Sequence, residues 1–442
     1  MGRRVNWISS NPMKFIEGTP AARGAILKAN AERAFSSNPE IEAVVREICD
    51  ALLARGDAAL LEWTRKLDCA ALNLDEIRVS EAEIDAAMAI LPPAARAALE
   101  RAARNIETFH ARQTQPDWSF TSSDGALLGQ RTTPIERVGL YAPNGRAAYP
   151  STVLMLAMPA KVAGVQQVAL ATPASPDGRA NATILAAARI AGIAEIYKIG
   201  GAVAMAAFAY GTATVGKVDK IVGPANIYGT LAKKHLFGIV GIDGLYGPSD
   251  AAIVADEGAN AAQIAADLIA QAEHGSDSFV CLLTASAQIA GDVRSEIEVQ
   301  LLGAPRAKIL RASLKNGLIC RVDSLRDACA MCDLLSAEHV EIWSRDALAL
   351  SVQIPNAGAI FLNTPVPLGD YIAGPSHALP TGATARFASG VGVDTFLKRT
   401  SLVSAPRNAI ADLADDLEIL ALLEELPGHA AAVRRAASDR HS

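Results

Sequence analysis

No apolar run in the chain approaches the roughly 18–20 residues needed to cross a bilayer. The start, MGRRVNWISS, lacks the apolar stretch that would make Arg3-Arg4 part of an export signal. Asn6 stands where myristoylation wants Ser or Thr. Cysteine is sparse and scattered, six in 442 residues, which fits a reducing compartment better than a disulfide framework. Basic blocks are missing too: 41 Lys and Arg against 47 Asp and Glu give a net charge of -6, spread without an electrostatic footprint for nucleic acid. These absences point to a cytoplasmic protein with no membrane and no nucleic-acid partner. Two chemical signatures are also lacking. There is no Gly-x-Gly-x-x-Gly for a dinucleotide and no His-Glu-x-x-His for zinc.

What is present is apolar. Half the residues are hydrophobic and a fifth are charged, the opposite of a disorder signature. A chain of 442 residues is too long for one ordinary core, so two or more domains are expected. Residues 1–115 read as helices. Asn38-Pro39-Glu40 opens one that runs to a stop at Gly56, and SEAEIDAAMAIL and PPAARAALERAARNIETFHARQ carry the same period. From about 136, short apolar runs (VGLYAP, QQVALATP, EIYKIGG, KIVGP) alternate with Ala-rich helical stretches, the pattern of βαβ units in a parallel sheet. After Gly247-Pro248 the alternation starts again with DAAIVADE and ends at AGAIFLN. Two such sets predict an α/β protein with two nucleotide-fold-like halves and a ligand cleft between them. A Gly-rich turn region at 369–395 and a charged helical tail at 406–436 complete the chain.

Of the seven histidines, His110, His235 and His441 read as bland. His274 closes a helical pattern as Gln271-Ala272-Glu273-His274-Gly275. Gln271 and His274 share a face there, and the imidazole reads either as a cap at the helix end or as a ligand. His339 follows Glu338 at the entry to a buried strand, as a general-base pair or as a polar strand entry. His377 lies with Asp370 in a turn-rich loop, and His429 lies in the tail. A distributed set of Gln271, His274, Asp370 and His429 would offer two nitrogens and two oxygens, acceptable to Zn²⁺. Cys329-x-x-Cys332 sits inside a helical pattern with no second Cys pair, so packing accounts for it.

In order along residues 30–435, the stretches LLARGDAALLEWTRKLD, TPIERVGLYAPNGRAAYPSTVLM, VDKIVGPANIYGTLAKK, DLIAQAEHG, SAEHVEIW, GDYIAGPSHALPTGATARF and FLKRTSL resemble the histidinol dehydrogenase family. The resemblance implies a zinc-dependent, NAD-linked oxidoreductase, a homodimer of two incomplete Rossmann-like domains whose helical tail crosses to the partner subunit. It implies an arm at 1–23, a first domain at 24–135 plus 247–390, a second, cofactor-binding domain at 136–246, and a tail at 391–442. Zinc ligands fall on Gln271, His274, Asp370 and His429, and the catalytic pair on Glu338 and His339. Substrate contacts fall on Ser249, His377 and Glu424 together with the metal ligands and His339, and cofactor contacts on Tyr141 and Asn226.

This chain departs from the family pattern at Asn144, Ala225, Asp250 and Val203. Kept chemistry with an altered pocket implies a paralogue, resembling sulfopropanediol 3-dehydrogenases, that takes 2,3-dihydroxypropane-1-sulfonate through an aldehyde to sulfolactate. Asn144 and Arg146 lie in the altered loop as substrate-binding candidates, where Arg146 would pair with the sulfonate or else meet cofactor phosphate or solvent. L-Histidinol is the alternative substrate.

Overall fold

In a computed structural model of the chain, residues 12–34, 38–68, 72–144 and 148–438 are described, and the statements below concern these residues. In chain order the strands are β1 (Lys14–Glu17), β2 (Trp118–Thr121), β3 (Leu127–Pro134), β4 (Arg137–Tyr141), β5 (Gln167–Ala171), β6 (Glu195–Tyr197) and β7 (Lys220–Val222). They continue as β8 (Gly241–Ile242), β9 (Asp250–Ala255), β10 (Phe279–Thr284), β11 (Leu318–Arg321), β12 (His339–Trp343), β13 (Ala359–Leu362) and β14 (Leu397–Ser404). The first ten helices are α1 (Thr19–Arg33), α2 (Pro39–Arg55), α3 (Asp57–Leu67), α4 (Glu81–Ile90), α5 (Pro93–His110), α6 (Pro150–Ala163), α7 (Ala182–Ala191), α8 (Gly201–Tyr210), α9 (Ile227–Leu236) and α10 (Ala261–Ala272).

Local chemistry starts and stops these elements as the sequence predicts. The Asn38 side chain accepts from the N–H groups of Glu40 and Ile41, Pro39 takes the first helical position, and Gly56 ends α2 at φ 53°. Ser80 and Glu83 cap α4 reciprocally. Strands β9 and β10, wholly apolar but for Asp250 and Thr284, are buried along their whole length, as parallel strands covered on both faces must be.

Two parallel sheets result. One has the order β6-β5-β4-β7-β8 and the other β1-β11-β10-β9-β12-β13. Each grows outward from its first βα unit in both directions, with the order reversing beside β4 in one and beside β9 in the other. The expected α/β architecture with paired parallel sheets is therefore present. A third, antiparallel sheet, β14-β3-β2, was not foreseen; it takes in FLKRTSLV, so the helical tail begins only at Arg407.

Two expectations about the N-terminal region need correcting. The first 23 residues are not merely an arm: Lys14–Glu17 adds an edge strand that pairs with β11. Nor do helices α2 to α5 belong with the six-stranded sheet. Val45, Ile48, Leu52, Leu60 and Trp63 share a core with Ala202–Ala209, while α4 and α5 join the core around α6 and α7. The reason lies in α8, whose residues 202–209 are all buried; a helix apolar all round needs cover on both sides, and α2 supplies the outer one. Only α1 stays with the six-stranded sheet, packing Ala22, Ile26 and Ala29 against β9, β11 and the helix Leu325–Leu335.

Among the described helices, none is long and apolar enough to cross a membrane. The tail helices Arg407–Leu423 and Pro427–Ser438 pack chiefly on each other and leave Leu417, Ile419, Leu420, Leu422 and Leu423 exposed.

Candidate active site

Five of the side chains singled out in the sequence gather at the amino edge of the six-stranded sheet: Glu338, His339, Asp370, His274 and His377. Glu338 and His339 enter β12, Ser249 and Asp250 enter β9 beside them, and Gln271 ends α10 just ahead of β10. This is the opposite end from the usual ligand crevice of open parallel sheets. By contrast, Tyr141 ends β4 and Asn226 follows β7, both at the carboxyl edge of the five-stranded sheet. Loop 370–377 links the two regions. His377 Nε2 lies 3.0 Å from Thr152 Oγ1 on α6, and Ser376 Oγ donates to the Met155 carbonyl at 3.2 Å.

The centre is dry and charged. Glu338 and His339 are 5% and 4% exposed. His339 Nε2 meets Asp370 Oδ1 at 3.1 Å, and Nδ1 faces Glu338 Oε2 at 3.7 Å with no hydrogen-bond partner. Burial would lower the proton affinity of His339, but the charge of Glu338 and the bond to Asp370 win and raise its pKa to about 9. Burial pushes Glu338 up to about 8, against the pull of the neighbouring His339. Asp370 is buried as well, yet the hydrogen bond from His339 and the charge of that ring keep it below the usual carboxylate range. His377 Nδ1 donates to the Asp370 carbonyl at 2.8 Å, and loss of hydration holds the ring neutral. That leaves its Nε2 free to accept from Thr152. His274 is exposed by area, but its ring is crowded enough for lost hydration to lower its proton affinity, so it too presents a neutral nitrogen.

Gln271 bears on metal binding. It is 2% exposed and its Oε1 has no hydrogen-bond partner, an acceptor held dry and unsatisfied. Among the described residues, no three His, Cys, Asp or Glu side chains gather as a metal-binding group. His274, Asp370 and Gln271 offer one imidazole, one carboxylate and one amide oxygen between them. That set fits zinc if one further donor arrives from outside. His429 and Glu424 are both exposed on the tail, and among the described residues no side-chain hydrogen bond or ion pair joins either of them to Gln271, His274 or Asp370.

The cofactor positions are less open than expected. Tyr141 is 2% exposed, and its hydroxyl accepts from the Gly201 N–H at 3.0 Å. Asp68 also bonds the backbone of Gly200, and burial raises its pKa to about 6. A Cβ on Gly200 would stand 2.6 Å from Asp68 Oδ2. The N–H groups of Gly200 and Gly201, at the start of α8, are thus engaged from within the chain. Asn226 Oδ1 caps α9 by accepting from the Gly229 N–H at 3.0 Å. Val203 is fully buried in the core.

Sequence reasoning missed four things. His110 is not bland: it is fully buried, with Nδ1 donating to the Ile106 carbonyl, at the end of a helix whose Asn105 holds the Ile372 carbonyl at 2.8 Å. The others are Asp68, Thr152 and the ion pair of Arg33 with Asp250 at 2.6 Å. The Cys329–Cys332 pair is buried in a helix, as the packing reading requires, and the five described cysteines are all free and buried.

The family model described as histidinol dehydrogenase matches residues 31–436. Histidinol dehydrogenase from a Synechococcus strain is 48% identical over 396 residues, spanning 89% of this chain and 91% of that one. The Rhodopseudomonas palustris protein of the same name is 49% identical over 397 residues, with 89% and 92% covered. The crystal structure of histidinol dehydrogenase from Elizabethkingia anophelis superposes with a TM-score of 0.91 at 34% identity, covering 96% of this chain and 98% of that one. These relatives overturn the sulfonate-diol reading. The departures that prompted it have internal explanations: Asn144 Nδ2 donates to its own chain at the Pro173 carbonyl (3.1 Å), and Asp250 is engaged by Arg33. Arg146 lies outside the described residues. The family is NAD-dependent and zinc-binding, and with a model match over most of its length this chain belongs to the histidinol dehydrogenase family.

Proposed function

We propose that the protein oxidises L-histidinol to L-histidine with NAD and zinc. The observation that carries the reading is the buried Glu338–His339–Asp370 row, and the unsatisfied buried oxygen of Gln271 supports it. Gln271, His274 and Asp370 would hold the metal, completed by His429 from a partner subunit's tail. Bound there, zinc supplies Lewis-acid polarisation of the substrate hydroxyl. Asp370 would fix the His339 ring through Nε2. Its Nδ1 takes the alcohol proton from the deprotonated fraction of the ring, which grows as pH approaches its pKa of about 9, while a hydride goes to NAD. Glu338 then accepts a proton from water as it adds to the aldehyde, and a second hydride reduces a second NAD. Ser249, His377 and Glu424 would contact the substrate, and Tyr141 and Asn226 the cofactor. The exposed leucines of the tail helices support a homodimer in which that apolar face is covered. Purified, zinc-loaded enzyme should release two molecules of NADH per L-histidinol consumed. One NADH per alcohol, or no turnover of L-histidinol, would defeat the proposal.

A further inference from the structure

Asp250 stands where the family pattern has Glu, and the structure shows what its carboxylate does. Opposite it on the neighbouring strand is Glu338, since His339 is in register with Ala251. The two residues bond each other twice. The Glu338 N–H donates to Asp250 Oδ1 at 2.7 Å, and the Asp250 N–H donates to Glu338 Oε2 at 3.2 Å. Asp250 Oδ2 accepts from the Gly382 N–H at 2.8 Å and forms an ion pair with Arg33, whose Nη1 lies 2.6 Å away without hydrogen-bond geometry. Arg33 reaches in from the end of α1 and is held through Nη2 and the face of its guanidinium. One Nη2 serves the Asn30 side chain and the Leu335 carbonyl, and the guanidinium lies 4.6 Å from the centre of the Phe279 ring. On the far side, the Glu338 carbonyl accepts from the Ala359 N–H, and a Cβ on Gly358 would strike that carbonyl at 2.5 Å.

Glu338 is therefore held at its N–H, its carbonyl and one carboxylate oxygen, while Oε1 has no hydrogen-bond partner among the described residues. We propose that Arg33 and Asp250 are a positioning pair that presents Glu338 Oε1 for water activation in the aldehyde-oxidising half of the reaction. The inference rests on the proposed function. Arg33 also balances the Asp250 charge, which otherwise sits beside a second buried carboxylate at a cost to both. Neither residue touches the reacting atoms; both act through Glu338.

The test compares wild type, Asp250→Asn, Asp250→Glu, Arg33→Met and the Asn/Met double variant, all zinc-loaded and full length. L-Histidinol and its aldehyde, L-histidinal, serve as separate substrates. Asp250→Asn and Arg33→Met should each lower kcat on the aldehyde by roughly 10- to 100-fold, the scale of a small misplacement of a reacting group. The KM for L-histidinol and the zinc content should stay put. Asp250→Glu should recover most of the loss, and the double variant should be no worse than either single one. Wild-type aldehyde kcat in Asp250→Asn overturns the proposal. So does an equal fall in both half-reactions with lost zinc and a lowered Tm, the mark of a merely structural role. Wild type inactive on both compounds sinks the functional reading and the inference with it; active wild type with unaffected variants sinks the inference alone.

Discussion

Two residues along β12 from His339, Glu341 shares a buried site with Asp267 of α10; the two are 1% and 3% exposed. Glu341 accepts from Trp343 Nε1 at 2.6 Å and from the Val366 N–H, and Gln263 donates to both oxygens of Asp267. Burial, with the Asp267 charge added, pushes Glu341 up to about 9. The folded chain thus keeps a proton that the unfolded chain releases near the ordinary value of 4.5. Stability from this group is complete at low pH and is lost as pH rises, through a window from roughly pH 5 to pH 9. Replacing Glu341 with Gln should flatten the decline of Tm with pH across that window. Identical slopes for variant and wild type would defeat the assignment. The sequence hid this pair because Asp267 and Glu341 are far apart in the chain and each sits in an ordinary helix or strand pattern. The same holds for Arg33 with Asp250. His110 was misread because one polar side chain on a helix does not reveal which side is covered.

At the level of elements, the tight seam is between β4 and α8. Gly139 sits mid-strand, and a Cβ there would come 2.6 Å from the Phe208 ring. Gly139→Ala should therefore destabilise the protein by about 1–3 kcal/mol. Adding Phe208→Leu should return part of that loss, a coupling that urea unfolding of the two singles and the double would measure. Simple additivity would show that the seam has slack. Helix and strand positions were largely legible, since Asn38-Pro39, Gly56 and the Ser80–Glu83 box mark helix limits in the residues themselves. Partner choice was not. An apolar stripe on α2 says that something covers it, and only the all-round apolar surface of α8 shows what. Strand β1 escaped notice because four residues, KFIE, carry too little pattern to separate strand from loop.

Across the whole molecule, the body presents an incomplete donor set while the tail carries His429 and Glu424 on an exposed pair of helices. If subunits exchange tails, two inactive variants should repair each other. His274→Ala damages a body and His429→Ala damages a tail, so a mixed dimer retains one intact site. Co-expressed in equal amounts, they should give about a quarter of wild-type activity, because half the dimers are mixed and each has one working site. No recovery in a preparation shown to contain mixed dimers would argue for sites built within one chain. The metal set became legible only through register with a known family, because His274, Asp370 and His429 fall on separate elements with no fixed spacing. Strand β1 carries a different consequence. Its four residues cover the outer side of β11, a strand that would otherwise offer bare N–H and C=O groups to any passing chain. Trimming the start of the protein past Glu17 would make the buried, largely apolar β11 the open edge in place of KFIE with its flanking charges, a better template for intermolecular pairing. Such a protein would be lost to aggregation before any change in its chemistry could be measured.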